Sequence, residues 1–528
     1  MSPDATAADE VVEGAIIDAV VIDNRDIFDT SDPAYDAFIY RWANRLHIVT
    51  RRRVISREVL LREGDPYSEE LARETERNLR RRLSIYDAWV YPEMSEDGRS
   101  VLRVVTVDQW SLLGGVTVSQ EGQYRDYSIG FDEANFLGNN QAVSLYFVDP
   151  ARESSFLRAG FLDYRLWGRP FFFSTQYSGS ELSNYFSVSM GRPFYELSQS
   201  FSLTGSALAL GGRSDVYNDS RRVLQTEYEG EQFGLDGAYR WGGYDRKYQL
   251  AGNYRYRSQR VTEERFLGAG TQDSILAEAG RLTDSLYHEV LLGAGHSALR
   301  YRTTRGLDAF EVTEDISLGY SILLSGGGAG SERGAVYHKM GIQGYAGVAL
   351  GKTVLFGGLG RQVWRADGTE VRRLGTVRMR LYNSSVPFVT LAMRADMAED
   401  HRKAGANALV LGGGTGIRGY DRFYRTGDRR MVVGVESRFR PNLQILTVHL
   451  GGVLFADAGN VWNAGEPISA RGFYGTVGLG LRISFERLSR RQIIRADLAW
   501  AEGGGWQLSV GTGQYFSHRD IPFDLTSP

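Results

Sequence analysis

NALVLGGGTGIRGYDRF, residues 407–423, is compatible with two folds, and the choice between them decides the rest of the chain. An apolar run, Ala408 to Leu411, enters a glycine cluster in which Gly414, Gly416 and Gly419 have G-x-G-x-x-G spacing. Glu436 comes twenty residues after Gly416, where a dinucleotide-binding unit places its ribose-binding carboxylate. Such a unit also needs a helix directly after the third glycine, because the helix N-terminus carries the pyrophosphate. The next residues are YDRFYRTGDRR (420–430), which have no apolar i, i+3, i+4, i+7 stripe and are broken by Gly427-Asp428. The glycines therefore belong to a loop, and a nucleotide-dependent enzyme is disfavoured.

The flanking sequence alternates. In YQLAGNYRYRSQ (248–259), Tyr248, Leu250, Tyr254 and Tyr256 share one face, and Gln249, Asn253, Arg255 and Arg257 the other. DISLGYSILL (315–324) sets Ile316, Leu318, Tyr320, Ile322 and Leu324 against Asp315, Ser317 and Ser321. FVTLAMRADM (388–397) sets Val389, Leu391, Met393 and Met397 against Thr390, Arg394 and Asp396. A soluble sandwich or propeller also alternates, but here charges sit in mid-strand on one face while the other is apolar and aromatic. A transmembrane antiparallel β-barrel, lipid outside and water inside, accounts for both faces. Residues 111–516 have room for about 16 strands of ~25 residues each, turns and loops included. The segment from 205 to 285 leaves the count open by two.

Composition agrees. The 528 residues include 63 glycines and 29 tyrosines but 12 prolines, a mix suited to many strands and turns. A net charge of −3 and a pI near 6.2 disfavour nucleic acid as a partner. With no cysteine, disulfides, thiolate metal sites and cysteine catalysis are excluded. No 18-residue apolar run exists, and a mean hydropathy of −0.30 is no objection to a barrel, whose strands face lipid with alternate residues. The first residues, MSPDATAADEVVEG, have neither the basic n-region nor the apolar h-region of a signal peptide.

Residues 1–13 read as a polar tail, and 14–110 differ in composition from the alternating region after them. AIIDAVVIDN alternates as a strand. SREVLLREGDPYSEELARETERNLRRRL holds two helical stretches separated by Gly64-Asp65-Pro66, the second with Leu71, Thr75, Leu79 and Leu83 on one face. YDAWVYPEM and SVLRVVTVDQW form a hairpin around Asp97-Gly98. The order strand, helix, helix, strand, strand makes a small α+β domain. The runs Arg51-Arg52-Arg53 and Arg80-Arg81-Arg82 flank its helices as a solvated surface, or as a dock for acidic headgroups or substrate.

With strands on both sides, GGGTGIRGYDRFYRTGD becomes a long loop. RMVVGVESRF turns Val433, Val435 and Phe439 outward and Gly434, Glu436 and Arg438 inward, and VLFADAGNVW puts Phe455, Asp457 and Gly459 on one face. An inward-folded loop then brings Arg418 to Glu436 and Asp457, a guanidinium clamped between two carboxylates.

Ile417-Arg418-Gly419-Tyr420 resembles the V/I-R-G-F/Y motif of the BamA, TamA and FhaC outer-membrane superfamily. Phe455, Asp457 and Gly459 match its F-x-D-x-G strand motif, and FDEANFLGNNQAVSLYF (131–147) resembles its early barrel segment. Residues 14–110 resemble one POTRA domain, with REGDPYSEELARETERNLRRRL (62–83) as its signature helix. The resemblance implies a barrel over 111–516 preceded by periplasmic POTRA, in the outer membrane of a Gram-negative-type cell. It implies a lumenal lock of Ile417, Arg418, Gly419, Tyr420, Glu436, Phe455, Asp457 and Gly459. It also implies a weak lateral seam between the first and last strands, at Leu112, Gly114 and Val116 on one side and Leu508, Val510 and Phe516 on the other. Members of the family insert barrel proteins into the outer membrane or export polypeptides. The implied partners are outer-membrane lipid and a polypeptide substrate or periplasmic partner at the POTRA-like domain; the alternative is a passive pore for small solutes.

No enzymatic role is expected: no G-x-S-x-G elbow occurs, and LSGGGAGSERG (324–334) lacks the Lys-Ser/Thr of a phosphate loop. Seven scattered histidines show no ligand spacing, so neither a metal nor a cofactor is expected. Twelve residues, 517–528, come after Phe516 as a C-terminal tail.

Overall fold

The computed structural model describes residues 12–521 apart from 122–123, 151–153, 181–182, 219–220, 268–283, 311, 332–333, 335, 403–408, 415, 422–423, 470, 486, 488–492 and 504. Most of the polar tail expected at 1–13, and residues 522–528, fall outside this set.

The N-terminal unit holds β1 (Ala19–Arg25), α1 (Phe38–Leu46), α2 (Arg52–Ser56), α3 (Glu69–Arg80), β2 (Ile85–Met94) and β3 (Ser100–Asp108). Its sheet has the order β1-β3-β2, with β1 parallel to β3 and β2 antiparallel to it. Ile17, Ile55, Leu61, Leu79, Ile85 and Leu102 form its core. Acidic Glu69 and Glu70 open α3 and basic Arg77 and Arg80 close it, each complementing the helix dipole. The helix at 38–46 is not expected from the sequence. Tyr40 is the one residue α1 buries, and its apolar stripe of Phe38, Ile39, Trp42 and Leu46 starts without a capping side chain at Ala37 or an acidic first turn to announce a helix.

The barrel begins at Leu112, after the connecting residues 109–111. Its first run is β4 (Leu112–Glu121), β5 (Tyr124–Glu133), β6 (Gln141–Asp149), β7 (Phe156–Asp163), β8 (Phe172–Gly179) and β9 (Ser183–Arg192). Longer strands come next: β10 (Phe201–Asn218), β11 (Arg221–Trp241), β12 (Arg246–Phe266), β13 (Ser285–Arg305) and β14 (Thr313–Ser331). Then come β15 (Val336–Leu350), β16 (Thr353–Ala366), β17 (Thr369–Asn383) and β18 (Val389–Arg402). The loop beyond β18 carries a small hairpin, β19 (Leu409–Leu411) and β20 (Arg425–Gly427). The wall closes with β21 (Arg429–Phe439), β22 (Gln444–Ile445), β23 (Val448–Trp462), β24 (Tyr474–Phe485), β25 (Ile493–Ala501) and β26 (Gly505–Thr512).

Among the described residues the wall has twenty strands, taking the two-residue β22 as the foot of the β21–β23 hairpin. The expectation of about 16 was too low. It assumed one length of strand and loop throughout, whereas β4–β9 are 8 to 10 residues each and joined by short turns, so six strands fit into residues 112–192. The open stretch, 205–285, contributes long strands and is not where the count fell short.

Large apolar side chains point away from the barrel, as at Leu250, Leu292, Leu324 and Leu479, while Arg380, Glu436, Asp457 and Arg482 are buried inside it. Alternation fails in β14: Ile316 is buried in a cluster with Leu307, Phe356 and Tyr382, whereas Tyr320 and Ile322 are exposed. Gly319, at φ 109°, stands between the two behaviours.

The N-terminal unit is docked across one mouth of the barrel by buried polar contacts. Arg80 donates to both oxygens of Asp315 in β14, at 3.0 and 2.6 Å, and Thr313 Oγ1 donates to Asp87 at 2.7 Å. Arg165, in the β7–β8 turn, makes two 2.9 Å bonds to Glu58, which also accepts from Arg82 at 3.1 Å. Glu74 accepts from the Leu197 N–H and the Tyr244 hydroxyl, both at 2.6 Å, in two further turns. The Arg80-Arg81-Arg82 run is therefore no solvated surface: Arg80 and Arg82 are buried in ion pairs within the chain.

Burial pushes the Glu58 carboxyl up, but Arg82 and Arg165 outweigh it and hold it below the ordinary glutamate range. A lowered carboxyl contributes fully above its ordinary value and is lost as pH falls through the depressed one. Docking is therefore expected to hold from neutral pH into the ordinary glutamate range and to loosen below it. Asp315→Ala is expected to weaken docking by about 1–3 kcal/mol, because Arg80 loses a charged, bidentate acceptor at a mostly buried site. Hydrogen exchange at residues 109–111 checks both: faster exchange with the barrel amides unchanged is the expected result.

Candidate functional site

The loop between β18 and β21 folds into the lumen. Gly419 has φ 83°, and a Cβ there would stand 3.1 Å from that of Ala499, so the turn requires glycine for conformation and for space. Ile417 is fully buried with Leu411, Tyr420, Val432 and Ala501, and the Tyr420 hydroxyl reaches the Gly475 and Glu502 carbonyls at 3.3 and 3.2 Å. These contacts hold the loop backbone to the inner wall. At Gly459 of β23 a side chain would meet the Met431 carbonyl at 2.9 Å and Leu411 at 3.1 Å, so the missing Cβ lets loop and wall approach.

Arg418 stands at the centre, with no exposed side-chain surface. Its Nε donates to Asp457 Oδ2 at 2.7 Å and its Nη2 to Oδ1 at 3.2 Å, a forked pair. Its Nη1 donates to Glu436 Oε1 at 2.7 Å and to Asp497 Oδ2 at 3.3 Å. The guanidinium lies 3.5 Å from the Phe455 ring centroid and 4.2 Å from that of Tyr515. All eight lock residues read from the sequence are thus brought together.

Other members were not read from the sequence as part of the lock. Asp497, from β25, is a third carboxylate, shared with Arg482 at 2.5 Å and Arg495 at 3.2 Å. Arg438 pairs with Glu436 at 2.8 Å, and Arg394 approaches Asp457 at 3.5 Å. Alternation in IIRADLAW was the available signal for Asp497, since it sets Arg495 and Asp497 on one face. Each buried carboxylate meets two or more arginines, which is the condition for keeping such charges in a low-dielectric interior.

Tyr515 arrives from outside any strand. The last strand ends at Thr512, not at Phe516, and Gly513 at φ 77° turns the chain inward. Residues 513–521 then cross the lumen towards β14–β18. The Tyr515 hydroxyl donates to Gly413 O at 2.5 Å, and the Phe516 carbonyl accepts from Arg438 at 2.8 Å. Ser517 Oγ and His518 Nδ1 lie 2.5 and 2.6 Å from Asp308 Oδ2. Asp308, Glu314 and His518 are the one cluster of potential metal ligands among the described residues. Nδ1 and Oδ2 are at hydrogen-bond contact, and Asp308 also accepts from Arg438 and Tyr382, an arrangement that latches the segment to the wall.

The seam residues behave differently from one another. Among the described residues, β26 and β4 pair at Ser509 opposite Glu121 and Val510 opposite Gln120 alone. By contrast, β4–β5 runs unbroken from Leu112 opposite Glu133 to Glu121 opposite Tyr124. Of the expected seam residues, Val510 lies in this short ladder. Leu112, Gly114 and Val116 pair with β5, and Leu508 with Leu498 of β25. Phe516 is not a seam residue: it is buried with Phe356 and Tyr382 inside the barrel, because the chain leaves the wall at Gly513.

Arg418→Ala leaves three carboxylates short of a partner, at a cost of roughly 3–5 kcal/mol for a fully buried group. Arg418→Lys keeps the charge but loses the fork and is expected to restore the loop in part. Tyr515→Ala is expected to cost about 1–2 kcal/mol and to be non-additive with Arg418→Ala, since the two share one stacked contact. Protease sensitivity of residues 409–427, measured across the double-mutant cycle, checks all three; additive effects would separate the segment from the lock.

No family model and no curated protein matches the chain. Among solved structures it is similar to CdiB from Escherichia coli, at 12% identity and a TM-score of 0.49, over 95% of this chain and 76% of that one. CdiB from Acinetobacter baumannii gives 12% and 0.45, over 94% and 73%. BamA from Haemophilus ducreyi lacking POTRA domains 1-3 gives 13% and 0.40, over 94% and 84%.

Proposed function

We propose that this chain handles polypeptides at an outer membrane, inserting barrel proteins or passing a polypeptide across, with the N-terminal unit on the periplasmic side as a POTRA domain. The work is conformational and involves no covalent chemistry. The observation that carries the reading is the combination of a lumen crossed by a buried ionic lock with a wall that, among the described residues, closes through a two-residue ladder. A path through the lumen requires dismantling Arg418 and its carboxylates, whereas the β26–β4 edge offers backbone groups to an incoming strand at little cost. The motif resemblance at residues 417–420 and 455–459 points the same way.

A passive pore for small solutes is the weaker reading. An open channel has no use for side chains such as Arg418, Glu436 and Asp457 buried across its lumen, or for a folded unit docked over one mouth. Planar-bilayer recording separates the two: the intact protein is expected to show no steady conductance, and a large ohmic one would favour the pore.

The seam is tested with paired cysteines, since the chain has none of its own. Oxidising Glu121→Cys with Ser509→Cys is expected to abolish substrate insertion or passage in reconstituted vesicles. Joining Leu498→Cys to Leu508→Cys, in the next ladder, is expected to leave activity within about twofold, as that pair is already held by continuous hydrogen bonding. Undiminished activity with the first crosslink would remove the seam from the mechanism.

A further inference from the structure

Helix α1 has three faces. Tyr40 with Ala43 and Asn44 turns towards the N-terminal unit, and the Asn44 side chain is bonded to Phe28 on both its backbone groups. On a second arc Phe38, Ile39, Trp42 and Leu46 are exposed, at 73, 50, 52 and 51%. Arg41 and Arg45 form the third, bordering the apolar arc. A short helix that leaves four large apolar side chains uncovered beside a basic edge has the pattern of a helix lying in a bilayer interface. Its basic edge is extended by the exposed Arg51, Arg52 and Arg53. Arg41 is held by Asp36 at 2.5 Å and Arg53 donates to Asn139, so Arg45, Arg51 and Arg52 are the charges to be offered outward.

The barrel's lipid-facing surface continues into this helix. The Ile48 carbonyl, two residues past α1, accepts from Asn135 at 2.8 Å, and the Arg51 N–H donates to Gly138 O at 3.0 Å. Asn135 and Gly138 bracket Phe136-Leu137 in the β5–β6 turn, whose strands turn Ile129, Phe131 and Phe147 outward. Leu137 has φ 53° yet its side chain is 53% exposed; in the next such turn Trp167 has φ 54° and is 86% exposed. A left-handed backbone at a bulky residue is strained, and here the strain projects apolar groups out of the protein at the rim.

We infer that the apolar arc of α1, with the rim residues Leu137 and Trp167 and the charges of Arg45, Arg51 and Arg52, is a docking surface for the anionic phospholipid leaflet beside the β5–β6 turn. The inference rests on the reading of the barrel as membrane-spanning. Through it the N-terminal unit is fixed to the bilayer as well as to the barrel.

The test uses the full-length protein in vesicles of phosphatidylethanolamine and phosphatidylglycerol, with an environment-sensitive fluorophore on single cysteines and shallow doxyl-labelled phospholipid as quencher. Leu46→Cys and Ile39→Cys report the arc, Leu292→Cys reports the barrel's lipid face, and Asp97→Cys reports solvent. Quenching at Leu46→Cys and Ile39→Cys comparable to that at Leu292→Cys is expected, with none at Asp97→Cys. Arg51→Gln and Arg52→Gln are each expected to reduce the docked-to-undocked ratio about fivefold, an effect absent in neutral phosphatidylcholine. Signals at 39 and 46 that match position 97 overturn the inference. So does a blue-shifted but unquenched signal, which means that protein covers the arc. A missing quench at Leu292→Cys instead defeats the membrane-spanning reading itself, so the two failures are distinct.

Discussion

The buried Arg418 guanidinium is the constraint on which the lumen is organised. Three separate pieces of chain converge on it: the loop that carries it, the inner wall through Glu436, Asp457 and Asp497, and the segment after the last strand through Tyr515. Desolvating one guanidinium and three carboxylates is costly, and only mutual pairing makes it tolerable. The arrangement is thereby close to all-or-none. Withdrawing the loop strips the carboxylates of a shared partner, and withdrawing the C-terminal segment removes one of two rings that sandwich the guanidinium. Arg438 and Arg482 spread the same coupling further, since each serves both a lock carboxylate and the terminal segment: Arg438 bonds Glu436 and the Phe516 carbonyl, and Arg482 bonds Asp497 and Gln514.

Much of this was legible because period-two alternation is a strong signal when one face meets lipid and the other meets charge. Inward Glu436, Asp457 and Arg438 could be assigned from their strands, and Arg418 from the long loop that precedes β21. Three things were not legible, each for its own reason. Strand number depends on how short the turns are, and the 164–171 turn, although it holds Gly168 and Pro170, puts Trp167 in the left-handed region, where in sequence it reads as one more outward apolar residue of a strand. Helix α1 was missed although Phe38, Ile39, Trp42 and Leu46 recur at helical spacing, because it is short and has neither a capping side chain at Ala37 nor an acidic first turn to mark its start. The inward path of 513–521 was missed because Tyr515-Phe516 after glycines looks the same as the aromatic end of a strand; what distinguishes it is Gly513 at positive φ and the acceptors waiting at Asp308, far off in sequence.

The wall is uneven in a way that bears on mechanism. Its long strands, β10–β14, adjoin the short β4–β9 at β9 and lie away from the seam, which the short β4 and β26 border. Long ladders such as β13–β14, paired without a break from Tyr287 opposite Ser331 to Arg305 opposite Thr313, are where the barrel resists deformation. Ladders on both sides of the edge where β26 and β4 meet are shorter than those of the long strands, and among the described residues the β26–β4 ladder itself is shorter than its neighbours β25–β26 and β4–β5.

Both strands of that edge are tied to elements that do not belong to the wall. β4 continues directly from the N-terminal unit through 109–111, where the Gln109 N–H bonds Ser84 O and the Trp110 N–H bonds Arg487 O. β26 leads into the segment that stacks Tyr515 on Arg418. Parting the seam therefore requires movement in at least one of two places: the docked unit with its Glu58 and Arg80 ion pairs, or the terminal segment with the lumenal lock behind it. The short β26–β4 ladder is thus flanked by two buried charge clusters, and on the proposed function the seam is held shut through those contacts made elsewhere. A ligand that binds either cluster's components in a rearranged state shifts the seam by its differential affinity for the two states and by nothing else. On the proposed function, a polypeptide that engages the N-terminal unit would act in this way without touching the wall.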